Sequence, residues 1–263
     1  MTAAAVHHPA RYSAVLLDTI RPALAGAPHV HDPFAGTGER LGALCDELGV
    51  TYSGTEIEPS FIVDPRVRQG DSRRWPTYPP FWPVQPGSAP ERVPYWIATS
   101  PVYANGMADN FRPTGICSYC NGVAVDPAGE ECPKCKGTGR RAIQRHTYRM
   151  AKMLATGDPA AELAEGNMGR NSYRQGHRAR GRYWEIAGEV VRQWYWAERV
   201  VLNVSDFIMQ GQAVPHVAEW WDLMRGHGWH LAAETAVRTP RQRNGANAAA
   251  RAATEAVGVF TRS

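Results

Sequence analysis

Asp32, Glu56, Asp71 and Ser100 share one kind of position: each closes a short run with strand character. Asp32 opens Asp32-Pro33-Phe34-Ala35-Gly36-Thr37-Gly38, a tight glycine-bearing turn, and Leu41, Leu44, Cys45 and Leu48 follow at helical spacing. The glycines let backbone approach a ligand closely, and the amino terminus of the following helix adds N–H donors. Glu56 lies about twenty residues past the loop, a spacing at which an acid can hold ribose hydroxyls. Ligands of open parallel sheets sit beyond the carboxyl ends of the strands. Four polar residues at successive strand ends therefore outline a nucleotide-type pocket, although strand ends are polar in any α/β protein.

A second constellation is Cys117-x-x-Cys120 with Cys132-x-x-Cys135, eleven residues apart. Two such knuckles can meet one tetrahedral zinc with four thiolates, which leaves no open position and so makes the ion structural. Asn121-Gly122 and Lys136-Gly137-Thr138-Gly139 supply the tight turns. Two disulfides or four free thiols are the other readings. The second knuckle resembles the Cys-x-x-Cys-x-Gly-x-Gly repeats of chaperone zinc domains.

The third is basic and aromatic, and centres on Arg170, Tyr173, Arg174, His177, Arg178, Arg180 and Arg182. Interleaved Arg, Tyr and Gly suit phosphate contact and insertion beside a displaced base, whereas a solvated loop is the plainer reading. Ten Lys/Arg against three acids lie between Arg140 and Arg182, so this segment carries most of the net charge of +4. Arg140, Arg141, Arg145 and Arg149 are expected on one helix face serving the same groove.

These residues need a scaffold. Helical spacing over 11–25, strands at 28–32, 50–56 and 67–71, and a helix over 37–48 give βαβ logic and a parallel sheet. A proline-rich loop spans 75–94, and Tyr95–Thr99 resumes as a strand leading into Ser100-Pro101-Val102-Tyr103. A helix over 183–198 precedes a strand at 199–204. A helix at 215–225 and strands at 229–235 and 256–261 complete the set, with a polar mobile loop expected at 239–254. The expected organisation is an α/β core of 1–103 and 183–263, interrupted by an insertion of 104–182. Within the insertion, a zinc ribbon occupies about 112–141 and a basic recognition segment about 142–182. The 263 residues can bury a sizeable core. No apolar run approaches a membrane span and no signal peptide is evident, so a cytoplasmic protein is expected.

Asp-Pro-Phe-Ala-Gly-Thr-Gly at 32–38, followed by Thr99-Ser100-Pro101-Val102-Tyr103, resembles the amino-methylating DNA methyltransferases. The resemblance takes in His8-Pro-Ala-Arg-Tyr12 and Val201-Leu-Asn-Val-Ser-Asp206, about two thirds of the chain in all. It implies a Rossmann-like α/β methyltransferase sheet with one reversed strand late in the chain. It also implies S-adenosylmethionine as methyl donor, held by His8, Asp32, Pro33, Phe34, Gly36, Thr37, Gly38, Glu56, Asp71 and Ser100.

The family's tetrad is Ser/Asn/Asp-Pro-Pro-Tyr/Phe, and Val102 departs from it at the third position. The implied reaction is direct methyl transfer to the amine of a base flipped out of duplex DNA, cytosine N4 or adenine N6. Ser100 and the Pro101 carbonyl would accept hydrogen bonds from that amine, and Tyr103 would stack on the base. Serine at the first position is frequent among the cytosine enzymes. The compact form with an inserted zinc module is similar to bacteriophage methylases. An RNA methyltransferase with the same pocket, a non-catalytic zinc-ribbon binder of nucleic acid and, more distantly, a nicotinamide dehydrogenase are the competing readings.

Overall fold

The computed structural model describes residues 12–74, 94–101, 114–116, 119–120, 123–126, 129–137, 140–142, 168, 177–209, 212–238 and 254–262. His8, Val102, Tyr103, Cys117, Arg145, Arg149, Arg170, Tyr173 and Arg174 lie outside the described residues, as do the expected loops at 75–93 and 239–253.

Helix α1 (Ala14–Leu24) begins where the Ser13 hydroxyl accepts the Leu16 N–H, and it buries Leu16, Ile20 and Leu24. Strand β1 (His29–Asp32) leads through the glycine loop into α2 (Glu39–Leu48), which ends on the left-handed Gly49. Strands β2 (Thr51–Glu56), β3 (Val67–Gln69) and β4 (Tyr95–Thr99) follow. Next come the short strands β5 (Thr114–Ile116) and β6 (Arg140–Ala142), which pair with each other antiparallel. Helix α3 (His177–Gln193) and a 3-10 turn at Trp194–Trp196 deliver the chain to β7 (Ala197–Val204). A hairpin of β8 (Phe207–Met209) and β9 (Gln212–Val214) precedes α4 (His216–Gly226), β10 (His230–Val237) and β11 (Glu255–Thr261).

Seven strands form one sheet in the order β10-β11-β7-β4-β1-β2-β3. Every pairing from β7 to β3 is parallel, while β11 runs antiparallel to both β7 and β10. This is the Rossmann-like methyltransferase sheet implied by the sequence, with β11 as its one reversed strand. The parallel register brings the carboxyl ends of β1, β2, β4 and β7 to one edge, with Val30 opposite both Tyr52 and Trp96 and Thr99 opposite Leu202.

Continuous apolar runs in the central strands reflect burial on both faces. On one face Val30, Ala98, Val201 and Val257 pack with Leu16, Ile20, Leu41 and Leu44 of α1 and α2. On the other, Ile97, Val200, Leu202 and Phe260 pack with Tyr183, Ile186, Val190, Trp194 and Trp220 of α3, its trailing turn and α4.

The chain divides into two compact units, Met1–Asp109 with Met168–Ser263, and Asn110–Asn167. Within the first unit, Met168 is buried in the same apolar cluster as Tyr183 and Ile186. Two expectations about local structure are corrected. Helix α3 starts at His177 and stops at Gln193, since Trp194–Trp196 tighten into a 3-10 turn and Ala197 already pairs with Tyr95. Arg140 and Arg141 are not helical: they pair as a strand with Ile116 and Gly115.

Candidate active site and cysteine centre

The glycine loop is held from three sides. Asp32, 1% exposed at the end of β1, accepts the Phe34 N–H at 3.0 Å and the Thr99 hydroxyl at 2.6 Å through Oδ1. The first bond shapes the turn. The second joins the end of β1 to the end of β4, one residue before Ser100. Burial pushes the Asp32 carboxyl up to about 7, against the pull of its bonds to Thr99 and Phe34. The Pro33 carbonyl accepts from Ser72 Oγ at 2.6 Å, which ties the loop to the end of β3.

Gly36 and Gly38 have φ of 55° and 73°, left-handed values that favour glycine. At Gly38 an added Cβ would also strike Val67. Thr37 and Gly38 are buried and Phe34 is half-buried against the α3–α4 core.

Glu56 does something the sequence did not announce. Its Oε2 accepts the Gly36 N–H at 2.8 Å and its Oε1 accepts the Glu58 N–H at 2.9 Å. The acid expected to hold ribose thus also clamps the glycine loop. Burial raises its pKa, and the backbone N–H groups of Glu58, Gly36 and Ile57 oppose that rise. Each carboxylate oxygen keeps further acceptor capacity for a ligand hydroxyl.

Asp71, the third acid, is engaged by a neighbour. Arg73 reaches it through Nη2 at 2.7 Å and Nε at 3.0 Å, and its Nη1 goes on to Glu189 of α3 at 3.3 Å. The side chain is therefore committed to an ion pair between the end of β3 and α3. Arg182, expected at a nucleic-acid surface, is likewise paired, with Glu185 at 3.1 Å and Glu189 at 3.8 Å. Arg178 and Arg180 lie in α3, with only their backbone described.

Ser100 and Pro101 follow directly on β4, and Pro101 is buried. Ser100 Oγ accepts from Asn203 Nδ2 at 3.2 Å, and the same nitrogen donates to Glu255 Oε2 at 2.8 Å. Sequence reasoning assigned Asn203 no role. The available signal was an amide inside the otherwise apolar run Val200-Val201-Leu202-Asn203-Val204.

Beneath the loop runs a buried polar ladder. Ser53 Oγ lies 2.7 Å from His29 Nε2 and 2.8 Å from His31 Nδ1, and Thr55 Oγ1 lies 3.4 Å from His31 Nε2. Desolvation lowers the His29 pKa to about 4, and burial together with His29 holds His31 well below the usual value. A folded pKa below the unfolded one means that the unfolded chain takes up more protons in acid. The His29 contribution is therefore intact above pH 6.5 and lost as pH falls toward 4, on the order of 3 kcal/mol in full. Asp32, with its pKa raised, acts in the opposite sense: its contribution is intact below 3.8 and lost as pH rises through about 7. The His29→Gln variant is expected to lose less stability than the wild type between pH 6.5 and 4. Urea midpoints across that range measure this, and equal losses would contradict it.

In the second unit, Cys120, Cys132 and Cys135 converge with their sulfur atoms all within 4.8 Å of one another. The Cys120 and Cys135 sulfurs are 3.6 Å apart, and none of the three is in a disulfide. Four thiolates at about 2.3 Å from a tetrahedral zinc stand about 3.8 Å from each other, so the three positions fit such an ion. The turn that presents them is tight: Lys136 N–H bonds the Cys132 carbonyl, and Lys136 and Gly137 have φ of 49° and 69°. Cys120, Cys132 and Cys135, with Cys117 of the same knuckle, would hold the ion. Cys132→Ser is expected to release one equivalent of bound zinc and to expose the unit to proteolysis. Metal analysis alongside limited proteolysis checks this, and unchanged zinc content would refute it.

Cys45 stands apart, fully buried on α2, where desolvation pushes its thiol up to about 12. Such a thiol is a core residue and not a nucleophile.

No protein-family profile and no curated protein sequence matches this chain. Solved structures overlap it at low similarity. TrmN from Thermus thermophilus is 13% identical with a TM-score of 0.41, covering 94% of this chain and 48% of its own, so this chain spans about half of that protein. A candidate RNA methyltransferase from Pyrococcus horikoshii is 12% identical with a TM-score of 0.44, covering 97% and 86%. Magnesium protoporphyrin IX methyltransferase (ChlM) from Synechocystis PCC 6803, with bound SAM, is 10% identical with a TM-score of 0.40, covering 98% and 88%. The methyltransferase-type architecture of the chain stands on its own strand order and its single reversed strand.

Proposed function

We propose that the chain transfers a methyl group from S-adenosylmethionine to the exocyclic amine of cytosine (N4) or adenine (N6) in DNA. The observation that carries the reading is the bond between Asp32 and Thr99. It couples a glycine loop suited to an adenosine-containing cofactor to the strand end that bears Ser100 and Pro101, within a methyltransferase-type sheet.

When bound, S-adenosylmethionine supplies an electrophilic methyl on a sulfonium. The chain supplies everything else. Asp32, Gly36, Thr37 and Gly38 shape the loop, and Glu56 remains able to accept a ribose hydroxyl while it clamps that loop. Ser100 Oγ and the Pro101 carbonyl accept the hydrogens of the target amine, so that its lone pair points along the line of transfer. The surplus proton of the methylated amine would leave the nitrogen for water. Tyr103 is assigned to stack on the extruded base. Val102 removes no donor, because the proline of the family tetrad has none either.

No cysteine nucleophile is needed, which agrees with the buried, high-pKa thiol of Cys45. Cys117, Cys120, Cys132 and Cys135 are assigned to one structural zinc. Double-stranded DNA is the proposed partner, with Arg170, Tyr173, Arg174, Arg178, Arg180 and Arg182 as contacts. For Arg182 this requires exchanging Glu185 and Glu189 for phosphate. No described helix is long and apolar enough to cross a membrane.

The test is transfer of labelled methyl to duplex DNA and, in parallel, to structured RNA. Label in DNA supports the proposal. Label in RNA alone replaces it with an RNA methyltransferase. Absence of S-adenosylmethionine binding in calorimetry leaves a non-catalytic nucleic-acid binder.

A further inference from the structure

Asn203 sits at the carboxyl end of β7, 1% exposed, on the sheet face that carries Val201 and Val257. A primary amide at such a place is costly unless its groups are bonded. Its Nδ2 has two hydrogens, and both are used, one on Ser100 Oγ and one on Glu255 Oε2. The carboxylate can only accept, so the nitrogen and not the oxygen of the amide must face Glu255. The donor role toward Ser100 follows from that. Asn203 Oδ1, in contrast, is buried with no hydrogen-bond partner among the described residues. A side chain kept only for packing would be better apolar here, as are Val201 beside it and Val257 opposite it.

We infer that Asn203 is a positioning residue for Ser100, with Glu255 fixing the orientation of the Asn203 amide. The inference rests on the methyl-transfer reading of Ser100. A serine hydroxyl on a strand end has three rotamers and a freely turning hydrogen. Donation from Nδ2 selects one rotamer and occupies one lone pair of Oγ. The remaining lone pair is then left in a fixed direction for the hydrogen of an incoming amine. Without Asn203, Oγ samples other rotamers and the amine's lone pair is no longer held in line with the bond to be broken.

The experiment is a double-mutant cycle on the full chain with duplex DNA, reading kcat, KM for DNA and the dissociation constant of S-adenosylmethionine. Asn203→Ala is expected to lower kcat about 10- to 100-fold, as loss of an orienting partner does elsewhere, with cofactor affinity within about threefold of wild type. In the Ser100→Ala background the same change is expected to cost nothing further, because the group it orients is gone. Additive losses overturn the inference, as does an Asn203→Ala enzyme with wild-type kcat. Glu255→Gln, which keeps an oxygen able to accept from Nδ2, is expected to rescue the activity that Glu255→Leu loses. Should Asn203→Ala prove unfolded in thermal melts, Glu255→Leu carries the cycle with the same outcomes. A wild-type protein that transfers methyl but shows additive losses overturns this inference and leaves the proposed function standing. A wild-type protein that transfers none overturns both.

Discussion

The Asp32→Ala variant is expected to lose S-adenosylmethionine binding altogether on a calorimetric scale, a weakening of more than about 100-fold, or roughly 3 kcal/mol. The size follows from what the carboxylate holds. It accepts from Phe34 N–H and from Thr99 Oγ at the mouth of the glycine loop, the first bond part-buried and the second buried. Truncation removes the acceptor of both, at about 1–3 kcal/mol for the buried Thr99 hydroxyl, and the loop relaxes from the shape a ligand needs. Asp32→Asn keeps an oxygen at the same place and is expected to bind far better than alanine. Undiminished binding by Asp32→Ala would remove the glycine loop from the cofactor site.

Ser100→Ala is the second large effect, and it falls on a different parameter. Ser100 follows β4 directly and its hydroxyl touches Asn203, not the glycine loop. Removing it is expected to lower kcat on the order of 100-fold and to weaken cofactor binding by much less, in keeping with its two expected roles. Tyr103→Ala is expected to behave in the same way, since stacking on an extruded base acts on the substrate and not on the donor. Equal loss of turnover and of cofactor binding in Ser100→Ala would mean that the hydroxyl supports the pocket and does not hold the amine.

The contrast between these two residues also shows which physics a sequence displays. Asp32 to Gly38 was legible because strand, tight turn and amphipathic helix leave three different periodicities in sequence, and only glycine tolerates the backbone at Gly38. The sheet was legible for a similar reason: the runs at Val200–Leu202 and Tyr95–Thr99 are apolar on both faces, as buried parallel strands require. The early start of α3 was not. His177 to Arg182 carries no apolar repeat, and the first described buried side chain of α3 is Tyr183. Arg140 and Arg141 read as a helix face because their strand partner, Gly115–Ile116, lies across the cysteine loop.

Side-chain partnerships within the site were the least legible. Glu56 was placed correctly at the end of β2, but its bond to Gly36 depends on how β1 and β2 sit side by side. Asp71 stands beside Arg73 in sequence, yet nothing in that spacing says that the arginine will turn back onto it and onward to Glu189. Asn203 meets Ser100 only because β7 pairs with β4 after nearly a hundred intervening residues, and it meets Glu255 only because β11 runs in reverse beside β7. The cysteine centre is the opposite case. The spacing suggested four sulfurs on one ion; those of Cys120, Cys132 and Cys135 lie within 4.8 Å of one another, and Cys117 lies outside the described residues.

The central claim is methyl transfer to an amine of a DNA base, and the most direct measurement identifies the product. Unmodified duplex DNA incubated with the protein and labelled S-adenosylmethionine is digested to nucleosides and analysed by mass. The expected result is label in N4-methylcytosine or N6-methyladenine, and in no other nucleoside. DNA that stays unlabelled, or label on the ring carbon of cytosine in a protein whose Cys45 is buried, would contradict the account.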